Sequence, residues 1–92
     1  MAGVLDSLVV VMEPVVNPDG RDRYVQWYRS VAGARPNPDP QTREHREPWP
    51  GGRYNHYLFD LNRDWSWGTQ PETRARLATW WRWNPQVHVD FH

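Results

Sequence analysis

The chain has no cysteine and no lysine. The first absence removes disulfide staples and thiolate metal sites, so any metal would have to be held by histidine and carboxylates, and it leaves the redox compartment undecided. The second means that all eleven basic residues are arginine, a bias that fits either dense bidentate ion pairing or a GC-rich coding sequence and by itself points to no function. Net charge is lacking too. Eleven arginines stand against eleven Asp and Glu, which excludes a field that would draw the chain to nucleic acid or an anionic membrane. There is no long apolar run: Leu8 to Met12 is far too short to span a bilayer, and the N-terminus has neither a basic n-region nor a small-residue cleavage site. As written, the chain reads as neither a secretory precursor nor a membrane protein. A leader of a longer parent would lie outside it.

What is present is proline, tryptophan and polarity. The 92 residues include nine prolines and seven tryptophans, with 38% hydrophobic residues and a mean hydropathy of -0.94. A chain of this size buries at most about 60 to 65% of its unfolded surface. A strong independent core is not expected.

Leu5 to Val16 is a nearly continuous apolar, β-branched run broken by Glu13 and Pro14, the pattern of a strand buried on both faces. Asn17-Pro18-Asp19-Gly20 follows with turn chemistry. Arg21 to Val31 places Tyr24, Trp27, Tyr28 and Val31 at helical spacing, which suits a short helix or an ordered loop. From Ala32 to Tyr57 proline, glycine, asparagine and charge dominate, as in a functional loop or linker. Trp49, Tyr54, Tyr57 and Phe59 favour a loop packed over a larger body.

Thr69-Gln70-Pro71-Glu72 signals a helix start, with Thr69 as cap and Glu72 at the capping-box position. The helix should run to about Trp83, burying Leu77, Trp80, Trp81 and Ala78 and leaving Arg74, Arg76 and Arg82 in water, with Asn84-Pro85 ending it. Val87 to His92 then alternates apolar and polar residues, so a strand would carry His88, Asp90 and His92 on one face. Same-face neighbours lie about 6.5 to 7 Å apart, too far for all three to reach one zinc ion comfortably. The fold expected is therefore α/β, a strand, long loop, helix and strand in a mixed or parallel sheet, and the chain reads as stopping within a site.

Asp60-Leu61-Asn62-Arg63-Asp64-Trp65 is the other dense polar cluster. Its Asn-Arg pair suits recognition of a terminal carboxylate or phosphate; the alternative is a surface turn in which Arg63 pairs with Asp60 or Asp64. His92 alone could equally be a structural histidine, and His45 and His56 read as surface or hydrogen-bonding residues.

Taken in order, Asn17-Pro18-Asp19-Gly20, Asp60 to Trp65 and the closing Val89-Asp90-Phe91-His92 resemble the zinc carboxypeptidases of the carboxypeptidase A type, over nearly the whole chain. The resemblance implies that residues 1–92 are a partial catalytic domain. Within it His92 would be a zinc ligand, Asn62 and Arg63 would bind the free C-terminal carboxylate of a peptide or protein substrate, and the Asn-Pro-Asp-Gly turn would be structural. Arg29 is the nearest counterpart of the arginine that polarises the scissile carbonyl, although it follows the turn at short spacing. The expected reaction is zinc-dependent hydrolysis of C-terminal peptide bonds, with a secreted or periplasmic parent. The His-x-x-Glu pair that supplies the other zinc ligands, the catalytic glutamate and the substrate-capping tyrosine are missing from these residues, so the isolated chain is expected to be inactive. A different class remains open: a non-catalytic module whose tryptophans and arginines bind peptide or glycan. A third reading, His88-x-Asp90-x-His92 as the start of another metallohydrolase site, needs further ligands.

Overall fold

A computed structural model describes residue 3 and residues 6–91. Their regular structure is helical: α1 is Pro18–Val31 and α2 is Pro71–Trp83, with single 3-10 turns at Arg43–His45 and Leu61–Arg63. No strand occurs among the described residues, whose one β-type pairing is an isolated antiparallel bridge between Tyr54 and Asp60. The α/β expectation is therefore overturned, and with it the strand, loop, helix and strand order of a mixed or parallel sheet.

The reason is that strand propensity acts only where a neighbour accepts the backbone's hydrogen bonds and covers the side chains. Residues 8–16 have the sequence of a buried strand but no partner, and Leu8 to Met12 are between 50% and 82% exposed. The tail fails in the same way. Residues 87–91 form no regular structure, and Val87, Val89 and Phe91 all face solvent. The position given to His92 lies outside the described residues.

Asn-Pro-Asp-Gly does not close a strand; it opens α1. The Asn17 side chain caps the helix by accepting the Gly20 N–H at 3.0 Å, and Pro18 occupies the first turn, where its missing N–H costs nothing. The same side chain donates to the carbonyls of Gly52 at 3.1 Å and Arg53 at 3.3 Å, so one amide both starts the helix and fastens the long loop to it. Gly20 is buried at this junction, and a side chain there would collide with the Gly52 carbonyl and the Asn17 amide. Beyond it, the helical spacing of Tyr24, Trp27 and Tyr28 brings their rings together on one face of α1.

Helix α2 matches its expected span, but its inward stripe differs. Thr73 and Arg76 are buried and Leu77 and Trp80 half-buried, whereas Ala78 is exposed and Trp81 is 73% exposed. Arg76 was expected in water. It turns inward because two partners meet its charge there: the Trp65 ring, whose centroid is 4.2 Å from the guanidinium carbon, and Glu13. At the other end Asn84 adopts the left-handed conformation, φ 41°, and caps the helix with its N–H on the Trp80 carbonyl.

The interior is mostly polar. Leu61 is the one buried large hydrophobic among the described residues, beside buried Glu44, Asn55, Asp64, Gln70, Thr73 and Arg76. The Cα radius of gyration is 17.2 Å, against about 12 Å for a compact domain of this length. Accessible surface is 7941 Å², against about 5,600 Å² for a compact monomer of this mass. Much apolar surface is left uncovered.

Candidate functional site: a pinned turn carrying Asn62 and Arg63

The turn at residues 60–65 is supported from both ends. On its N-terminal side Arg53 donates through Nε at 3.0 Å and Nη2 at 2.7 Å to Asp60 Oδ2. The other oxygen, Asp60 Oδ1, accepts the Asn62 N–H at 3.0 Å and caps the 3-10 turn. Backbone bonds from Arg63 to Asp60 and from Asp64 to Leu61 close it, and Leu61 points inward as its one apolar anchor.

The loop behind Arg53 is held with equal care. Arg23, on α1, donates through Nη1 to the carbonyls of Gly51 at 2.8 Å and Tyr54 at 2.9 Å and through Nη2 to that of Asn55 at 3.1 Å. Asn55 is fully buried. Its Oδ1 accepts from the N–H groups of Tyr57 and Phe59, and its Nδ2 donates to Gln70 Oε1 at 2.9 Å. These bonds hold Leu58 at φ 64°, a conformation that L residues avoid by about 1 to 2 kcal/mol.

On the C-terminal side Asp64 joins the turn to α2. Its Oδ1 accepts the Thr69 N–H at 3.0 Å and the Thr69 hydroxyl at 2.5 Å, and its Oδ2 accepts the Gln70 N–H at 2.9 Å. Desolvation pushes the Asp64 pKa up, but the hydrogen bonds from the Thr69 hydroxyl and the Gln70 backbone outweigh it and bring the value down to about 2. The capping box expected from Thr69 and Glu72 is therefore absent: Thr69 spends its hydroxyl on Asp64, and Gln70, which stands at the N-cap, makes no side-chain capping bond to the helix.

Arg63 is left exposed, and it forms no ion pair among the described residues. The surface-turn alternative needed Asp60 or Asp64 as its partner, and both carboxylates are engaged elsewhere. Asn62 is half-buried beside it. The turn thus presents a guanidinium whose five donors suit an incoming carboxylate or phosphate.

The other expected residues are not brought to this turn. Arg29 lies exposed in the last turn of α1, and no described hydrogen bond or ion pair joins it to Asn62 or Arg63. His45 bonds the Asn37 carbonyl at 2.6 Å, and His56 lies 3.8 Å from Asp19 at the surface. His88 sits edge-on between Trp65 and Trp80, at 5.5 and 4.9 Å. No group of three His, Asp or Glu able to hold a metal forms among the described residues, and His92 lies outside them. The structural roles of Arg23, Asn55, Asp64 and Arg76 come from long-range or loop contacts that no local sequence signal marks. Comparison with family models, curated proteins and solved structures found no match to this chain.

Proposed function

We propose that this chain forms part of a zinc metallocarboxypeptidase, in which Arg63 and Asn62 bind the free C-terminal carboxylate of a peptide or protein substrate. The observation that carries the reading is the state of Arg63: flanked by two carboxylates, it pairs with neither, while both are committed to holding the turn. A guanidinium kept available on a pinned turn costs little reorganisation when an anion arrives. Fixing the terminal carboxylate there sets where along a peptide a hydrolytic centre acts, which is how an exopeptidase chooses the chain end.

The motifs Asn17 to Gly20, Asp60 to Trp65 and Val89 to His92 support the same assignment by their order. So does the apolar surface left bare on residues 8–12 and 87–91, which suits a segment packed within a larger catalytic domain. His92 is assigned as one zinc ligand, with its partners outside these 92 residues, and the chain alone is inactive. The reading frame on either side of the 92 codons tests the assignment: an upstream His-x-x-Glu and a downstream glutamate in frame support it, and open frames lacking both contradict it.

A second reading is favoured by one feature. Trp65, Leu77, Trp80, Trp81, His88 and Asp90 line an open cleft of about 440 Å³, and an exposed indole such as Trp81 is a stacking platform for a sugar ring. Quenching of tryptophan fluorescence by oligosaccharides, unaffected by Arg63→Ala, would favour a glycan-binding module instead.

A further inference from the structure

We infer that Arg76 is a positioning residue for the Asn62–Arg63 turn, acting through Trp65 and tied by Glu13 to the apolar segment at residues 8–16. The inference rests on reading that turn as a carboxylate site. Arg76 lies mid-helix and is only 9% exposed, an unusual place for a charge that helical spacing could have put in water. A guanidinium stays there only if something repays its desolvation. Two groups do so. The Trp65 ring lies under its carbon at 4.2 Å, and Glu13 Oε2 accepts from its Nε at 3.1 Å across 63 residues of sequence.

Trp65 is two residues from Arg63 and directly follows Asp64, whose own N–H closes the turn on the Leu61 carbonyl. With Asp64 bound to the start of α2 and the Trp65 ring held under Arg76, the C-terminal end of the turn is fixed to α2 at two points. Asp64 fixes its backbone height; Arg76 fixes the direction in which it leaves. Glu13 then gives the 8–16 segment a direct link to this contact.

The test uses the full 92-residue chain, labelled with ¹⁵N, and three variants. Arg76→Met keeps the long apolar stem and removes the charge, Arg76→Lys restores a cation, and Glu13→Gln removes only the ion pair. Two quantities are read: hydrogen exchange at the amides of Asn62, Arg63 and Asp64 relative to the amides of mid-α2, and binding of N-acetyl-glycyl-glycine relative to its C-terminal amide. Arg76→Met is expected to raise exchange at the three turn amides about tenfold with α2 unchanged, and to weaken free-acid binding about fivefold, as befits loss of a partly desolvated cation–π contact. Arg76→Lys should recover most of both, and Glu13→Gln should fall between. Turn exchange that stays at the wild-type rate, or that rises only in step with α2, overturns the inference. If no chain binds the free acid but the turn-specific exchange change appears, the carboxylate reading fails and the positioning role stands.

Discussion

Arg63 and Asp64 are adjacent in sequence and oppositely charged, yet they do not pair. Both Asp64 oxygens are taken by Thr69 and Gln70, at 2.5 to 3.0 Å, and the Arg63 side chain is left in solvent. The acid holds the helix while the base is presented outward.

That division gives the stability of α2 an acid limb. Folding lowers the Asp64 pKa from 3.8 to about 2, so the folded state favours the ionised form. The contribution is complete above about pH 4 and is lost as the pH falls through about 2. Asp64→Asn should cost about 1 to 2 kcal/mol at neutral pH and flatten this limb. Far-UV circular dichroism across the acid range, on both chains, checks it.

Gly20→Ala should destabilise the chain, against the usual trend. Alanine is favoured over glycine inside a helix by about 0.5 to 1 kcal/mol, but here the added carbon meets the Gly52 carbonyl and the Asn17 amide. The expected net loss is about 1 to 3 kcal/mol, seen as lower helicity and loosening of residues 51–53. Equal or greater thermal stability would show that the α1–loop junction is not as described.

Asn55→Ala removes the amide that holds Tyr57, Phe59 and Gln70. Leaving those groups unsatisfied should cost about 2 to 3 kcal/mol and release Leu58 from its left-handed conformation. Hydrogen exchange at Tyr57 and Phe59 should accelerate sharply, and Leu58→Gly in the same background should make little further difference.

The isolated chain should bind zinc weakly. No three-ligand group forms among the described residues, and a single imidazole at His92 cannot hold the ion tightly. Equilibrium dialysis is expected to show no tight stoichiometric zinc; tight binding abolished by His92→Ala would contradict the assignment of its partner ligands to other residues.

The span of α2 was legible because Pro71, the periodic Leu77 and Trp80, and Asn84-Pro85 are local signals that agree with one another. Its inward face was less so. Arg76 is buried because of Trp65 and Glu13, the second of them 63 residues away, and spacing within the helix carries no trace of either. The expected strands failed for a related reason. Residues 8–16 have the right composition, but a strand is a relation between two segments, and none of the described residues pairs with this one. The Asn-Pro-Asp-Gly motif fits a turn and a capped helix start equally well, since Asn, Pro and Gly serve both; the Asn17 bonds to Gly52 and Arg53 accompany the second. Of the site, Asn62 and Arg63 were legible as residue types, whereas the network that keeps Arg63 unpaired required the fold.

The central claim is that this turn presents Arg63 to a free carboxylate. Titration of the ¹⁵N-labelled chain with N-acetyl-glycyl-glycine and with its C-terminal amide tests it most directly. The account predicts saturable shifts centred on Asn62 and Arg63 with the free acid, none with the amide, and loss of the response in Arg63→Ala. Equal responses to acid and amide, or an acid response that survives Arg63→Ala, would contradict it.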